Sequence, residues 1–102
     1  MIRSEIIENL SRKLTHFSQR DIELSVKKIQ EVMIQSLAHG DRIEIRGFGT
    51  FSLHLYPARI ARNPRTGESI EVPARYHPHF KPGKELRDLV DEGMHKGLQI
   101  RK

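Results

Sequence analysis

The sequence predicts an α+β fold: an N-terminal helical hairpin, an antiparallel sheet with a long protruding β-ribbon arm, and a C-terminal helix. Three observations predict it. Apolar residues recur at helical spacing as far as Leu37, and the period changes to two at Asp41. Between Pro57 and Gly67 large apolar side chains almost vanish and arginine takes their place. With 102 residues the chain is the size of one domain.

Ile2, Ile6, Ile7, Leu10 and Leu14 draw one helical stripe, and Ser4 and Glu5 suit its start. His16 and Phe17 form a short break. Ser18 is placed as an N-cap, with Asp21 as a short capping-box acid and Phe17 and Ile22 as a hydrophobic staple. Ile22, Val26, Ile29, Met33 and Leu37 continue the helical spacing, and His39-Gly40 ends it. Residues 1–40 read as a helical hairpin whose apolar stripes need a cover.

Ile43 and Ile45 alternate with Arg42, Glu44 and Arg46, as on a strand. Gly47-Phe48-Gly49 is a tight bend. Phe51, Leu53 and Leu55 then alternate with Ser52, His54 and Tyr56. Pro57 to Gly67 holds Arg59, Arg62 and Arg65 and no acid, and Asn63-Pro64-Arg65-Thr66-Gly67 reads as a turn. Ser69 to His77 resumes a strand, limited by Pro73 to edge-type pairing. Residues 41–82 are thus a sheet with an arm over about 56–74. His79 to Lys84 closes the sheet and leads into a helix over 83–90, with Leu86, Leu89 and Val90 as its stripe. From Asp91 on, two glycines and mixed charge predict a flexible tail, 91–102.

Composition narrows the function. Hydrophobic residues are 36% of the chain, below the roughly 45–50% of ordinary domains. A core this lean on so short a chain predicts completion by a second chain. Eighteen basic residues against 13 acidic ones give a formal charge of +5, which suits a polyanion partner. The absence of cysteine excludes disulfides, thiolate metal sites and a Cys nucleophile. No P-loop, G-x-S-x-G or H-E-x-x-H motif occurs, so neither an enzyme nor a bound cofactor is expected. His77 and His79 flank Pro78 without further ligands and read as surface histidines rather than a metal site. Charges interrupt the N-terminal apolar residues, and no run approaches the ~18 apolar residues of a membrane span. A cytoplasmic protein with no membrane partner is expected.

The ribbon carries the functional signal. An isolated two-stranded hairpin is marginal in water, and three arginines near its end repel one another. A polyanion supplies the missing counter-charge, and arginine's fork of donors matches phosphates and groove edges. Pro64 at the tip is a rigid, apolar wedge with no N–H. The competing reading is a solvated hairpin with ordinary turn chemistry.

The run IEIRGFGTFSLH, the tip RNPRTG and the closing HFKPGKELRD resemble the HU/integration host factor family, and within it most closely the beta-type chains. The resemblance covers about residues 1–90. Each motif is weak alone; together, in this order and spacing, they are highly specific. The family is known for minor-groove binding with apolar wedges. The resemblance implies an intertwined dimer on double-stranded DNA, each protomer sending one arm around the duplex. Arg59, Arg62, Asn63 and Arg65 fall in the family's arm, and Pro64 matches its intercalating proline. Arg42, Arg75, Lys81, Lys84 and Arg87 fall where the family places backbone contacts, with a structural ion pair as Arg87's alternative. The Glu44/Arg46 pair matches a groove-reading corner of beta-type chains, against an exposed strand ion pair. The partner is a homologous alpha-type subunit, or a second copy in an HU-like homodimer with little sequence preference. The resemblance further implies nucleoid association and support of recombination, replication and transcription control. An RNA-binding module is disfavoured by the absence of an RNP-like aromatic pair and a GXXG loop. A plain dimerisation domain whose arms bind protein is the remaining class. Two features depart from the family pattern: a longer stretch after Asp91, and Pro73-Ala74-Arg75 in the return strand.

Overall fold

The structure is a computed structural model that describes residues 1–101. Helices α1 (Arg3–Lys13) and α2 (Gln19–Ala38) form the predicted hairpin. They are followed by β1 (Ile43–Ile45), β2 (Gly49–Tyr56), β3 (Arg59–Arg62), β4 (Ser69–Val72), β5 (Arg75–Pro82) and α3 (Lys84–His95). Ser18 caps α2 as expected, its hydroxyl accepting from the Asp21 N–H at 3.1 Å. Helix α1 starts earlier than Ser4: Ile2 is its N-cap, with no side-chain cap, and the Ile2 carbonyl accepts from the Glu5 and Ile6 N–H groups.

Strands β1, β2 and β5 make an antiparallel three-stranded sheet with β2 in the centre. Alternation along β2 puts Phe51, Leu53 and Leu55 on one face and Thr50, Ser52, His54 and Tyr56 on the other. The apolar face is pinned by an aromatic cluster, with Phe80 4.7 Å from Phe51 and 5.2 Å from Phe48 between ring centroids. The Phe48 carbonyl accepts from the Gly83 N–H at 2.8 Å, tying the bend before β2 to the start of α3.

The arm carries a ladder of its own. Strands β3 and β4 pair only with each other, and Pro57-Ala58 faces Pro73-Ala74 where the ladder breaks. Proline lacks the N–H a ladder needs, so one proline in each of two successive cross-strand positions interrupts both strands.

The last helix does not stop at residue 90 but runs to His95, so 91–95 belong to α3 rather than to a tail. Gly97, at φ +88°, terminates it. The Leu98 N–H donates to the Gly93 carbonyl at 2.9 Å and the Gly97 N–H to the Met94 carbonyl at 3.2 Å. This is a Schellman ending, and the Leu98 side chain packs on Gly93, where a Cβ would stand 3.2 Å from its Cδ2. The glycine that looked like a helix breaker makes room for the capping contact.

The hairpin is not covered. Ile7 and Ile22 are the buried apolar residues among those described, while Ile29, Val32 and Ile34 are 58–63% exposed. Leu10, Leu14, Phe17, Ile22, Val26 and Ile29 line an open apolar groove of about 310 Å³.

Candidate nucleic-acid interface

The polar face of the sheet is set by register. Thr50 stands opposite both Glu44 and Lys81, Ser52 opposite His79, His54 opposite His77 and Tyr56 opposite Arg75. Small residues at Thr50 and Ser52 leave a trough along the centre of this face. Arg42 stands at one side, Lys81 at the other, and Lys84 and Arg87 reach it from α3. Together they border a groove of about 530 Å³ whose four flanking cations are all exposed. The N-terminus of α3 also borders it, with Gly83 as an N-cap that offers no side chain. A helix N-terminus presents unsatisfied N–H groups and partial positive charge, which adds to the pull on an anion.

The groove continues toward the arm. At the arm's base Tyr56, Arg59, Val72 and Arg75 surround a second concavity of about 390 Å³ between Pro57 and Pro73. Arg62 sits at the end of β3 opposite Ser69, and the tip follows. Asn63 organises that tip: its side-chain oxygen accepts from the Arg65 N–H at 2.9 Å, and its carbonyl accepts from the Gly67 N–H at 2.8 Å. Gly67 takes φ +72°, a value glycine adopts freely. The turn leaves Pro64 and Arg65 exposed at the end of the arm.

The predicted site residues therefore fall into groups. The structure brings together Arg42, Lys81, Lys84 and Arg87 in the groove, Arg59 and Arg75 at the arm base, and Arg62, Pro64 and Arg65 at the tip. Asn63 is half-buried and spends its side chain on the turn. Glu44 does not pair with Arg46: its carboxylate meets Arg42 at 3.1 Å, both side chains well exposed. Arg46 lies just beyond β1 in the bend, exposed and without an ion pair among the described residues. Arg87 likewise has no ion pair there, which leaves it to the groove. His54, His77, His79 and Tyr56 were not singled out as binding residues, yet all four lie on the same face. The signal was the two-residue alternation on β2 and β5, which also puts His77 and His79 on one side. Among the described residues no group of three or more His, Asp or Glu is arranged to hold a metal ion. No described helix is long and apolar enough to cross a membrane.

The chain is similar to known proteins along most of its length. A family model described as bacterial DNA-binding protein matches residues 1–91. The integration host factor subunit beta of Alkalilimnicola ehrlichii is 56% identical over 99 residues, 97% of this chain and 99% of that protein. The same subunit from Thioalkalivibrio sulfidiphilus is 59% identical over 91 residues, 89% of this chain and 95% of that one. The Alkalilimnicola match carries most of the stretch after Asp91, whereas the Thioalkalivibrio match covers 89% of this chain. Among solved structures, Anabaena HU in a cocrystal with DNA superposes with a TM-score of 0.81 at 30% identity, covering 88% of this chain and 97% of that one. HU from Thermotoga maritima gives a TM-score of 0.60 at 27% identity, covering 88% and 98%.

Proposed function

Since the chain belongs to the bacterial DNA-binding protein family, we propose that it is an architectural protein of the integration host factor beta type, which binds duplex DNA through the minor groove and bends it sharply. The observation that carries this reading is a series of exposed cations along the sheet groove, the arm base and the tip. It runs from Arg42, Lys81, Lys84 and Arg87 through Arg59 and Arg75 to Arg62 and Arg65 at the tip.

Bending a site of this kind costs several kcal/mol, up to about 10 in stiff sequences. Unstacking at an inserted wedge adds a few more per step. Phosphate neutralisation along the groove and flanks offsets both, and a duplex pulled onto the groove must curve toward the arms. Pro64 enters between base pairs, Arg62 and Arg65 follow the groove on either side, and Arg46 reads base edges near the bend. Specificity comes mainly from deformability and groove width, because phosphate contacts position without specifying. The function is binding, not catalysis. Bringing distant DNA sites together serves recombination, replication and transcription control in the cytoplasm, on the nucleoid.

The functional unit is an intertwined dimer in which residues 1–90 act as one DNA-binding domain. Its partner is a homologous alpha-type subunit, as befits beta-type relatives; a second copy of the chain is the other arrangement. Purification from the native host separates them: a distinct homologous chain at equal stoichiometry is expected, and a single chain species overturns the heterodimer. Energy transfer between dyes on the two ends of a duplex tests bending. Transfer should rise on saturation, and binding without any rise overturns the bending reading.

A further inference from the structure

We propose that His54, His77 and His79 form a proton-dependent phosphate-contact site on the floor of the interface, so that DNA binding takes up protons and tightens as pH falls below neutrality. This inference rests on the DNA-binding reading above and adds its regulation.

The three side chains are exposed and share one sheet face, because His54 stands opposite His77 and His79 opposite Ser52. The His54 and His79 rings stack with centroids 4.4 Å apart, and Tyr56 stacks on His77 at 5.0 Å. These stacks hold the rings in a row from the groove, lined by His54 and His79, toward the arm base, lined by Tyr56. His77 Nδ1 lies 3.1 Å from the Pro78 carbonyl; His54 and His79 make no side-chain hydrogen bond among the described residues, so their ring nitrogens are free for a ligand.

The neighbouring charges decide what that ligand is. Arg42 and Glu44 face the row from β1, Tyr56 from β2, Arg75 and Lys81 from β5, Lys84 and Arg87 from α3, and Arg59 from the arm base. Glu44 is the one carboxylate in that set, and Arg42 already holds it at 3.1 Å. A phosphate backbone laid in the groove supplies the missing anion. Imidazole changes charge close to neutral pH, and an anion within reach favours its charged form. Linkage is reciprocal: if DNA promotes protonation, protonation promotes DNA binding by the same factor. A one-unit rise on binding corresponds to about tenfold in affinity per group. Neighbouring imidazoles, above all the stacked His54 and His79, repel once charged, so the expected gain is about tenfold in total rather than per histidine.

The test is a fluorescence-anisotropy titration of a duplex at about pH 8 and about pH 6, bracketing imidazole titration, at constant salt. The unmodified protein should gain about tenfold in affinity across that range. H54Q/H77Q/H79Q should lose most of the gain, while H39Q/H95Q, altered at the ends of α2 and α3, should keep it. An equal gain in the triple variant and the unmodified protein overturns the inference and leaves DNA binding intact. Failure of the unmodified protein to bind DNA at either pH overturns the reading beneath it as well. Calorimetry of the unmodified protein in two buffers of different ionisation enthalpy needs no variant to fold. Net proton uptake on binding near neutral pH is expected, and zero uptake overturns the inference.

Discussion

A methyl group at Gly49 would lie 2.6 Å from the Lys81 carbonyl oxygen and from the Phe80 ring. Both are held by the sheet and the aromatic cluster, so neither can step aside cheaply. Gly49→Ala should therefore destabilise the fold by about 1–3 kcal/mol, as overpacking does, and a thermal melt checks it. The sequence marked Gly49 as a bend residue; the structure shows that the demand there is close packing, since its φ is not positive. Pro64 lies at the opposite extreme, exposed and far from any core. Pro64→Ala keeps the charge of the tip and removes its stiff apolar ring. Melting should not change, while the bend angle, read by energy transfer at saturating protein, should shrink. An unchanged angle would leave Pro64 as an ordinary turn residue. Arg46 and Arg42 are each two residues from Glu44, so sequence spacing alone cannot choose Glu44's partner. Geometry chooses Arg42, which leaves Arg46 free. Arg46→Ala should then reduce preference for a specific site more than it reduces binding to random duplex, because base contacts specify and phosphate contacts position. Equal losses in competition titrations would assign Arg46 to the backbone.

Helix α3 and the arm show where local patterns speak clearly and where they do not. Gly97 holds φ +88° with nothing within 4 Å of where its Cβ would be, so its role is purely conformational. Gly97→Ala should cost about 1–2 kcal/mol of left-handed strain and fray the last turn, which faster amide exchange at Met94 and His95 would report. Unaltered exchange would mean that Leu98 alone holds the helix end. Helix α2 was legible at both ends because Ser18 and Gly40 are strong local signals. The end of α3 was not, because Gly93 reads as a breaker until Leu98 is seen packed on it. The strands were legible from two-residue alternation in Ile43 to Tyr56. The split between sheet and arm was not, since it depends on Pro57-Ala58 and Pro73-Ala74 falling at the same level of the two strands, a matter of cross-strand register. For the same reason the arginines of the arm could be picked out by type, whereas the meeting of Arg42 with Lys84 and Arg87 across two elements could not be read from spacing. Both ladders end at the Pro-Ala pairs, so the arm should swing as a unit and exchange its amides far faster at Arg62 than at Ile29 when DNA is absent.

At the scale of the whole chain, the dimensions point to a missing half. Its accessible surface is 9511 Å², against about 5,900 Å² expected for a compact monomer of its mass. The radius of gyration is 19.3 Å, with extents of 59 × 37 × 28 Å, where about 13 Å would suit a compact chain of this length. The protruding arm accounts for part of the excess. The rest is on the hairpin, where Leu24, Ile29, Val32 and Ile34 stand 51–63% exposed and Ile29 lines an open groove with few polar atoms. Two buried apolar side chains cannot balance the conformational entropy of ordering about a hundred residues, roughly 1–2 kcal/mol each for the backbone alone. Folding and association should consequently be one event. The denaturant midpoint, followed by circular dichroism, should rise with protein concentration, since a chain without a stable monomer has no concentration-independent stability. Analytical ultracentrifugation should find no folded monomer at micromolar concentration. A midpoint that stays fixed across a hundredfold dilution, about 2.7 kcal/mol of mass action, together with a compact monomer in the centrifuge, would show that the hairpin covers its own stripes. With its partner in place the same molecule doubles its cationic path. If about six to ten phosphates are neutralised per dimer, log K should fall with log salt at about −0.9 per phosphate. A slope near zero would mean that the groove lined by Arg42, Lys81, Lys84 and Arg87 does not carry the backbone, whatever the arm tips do.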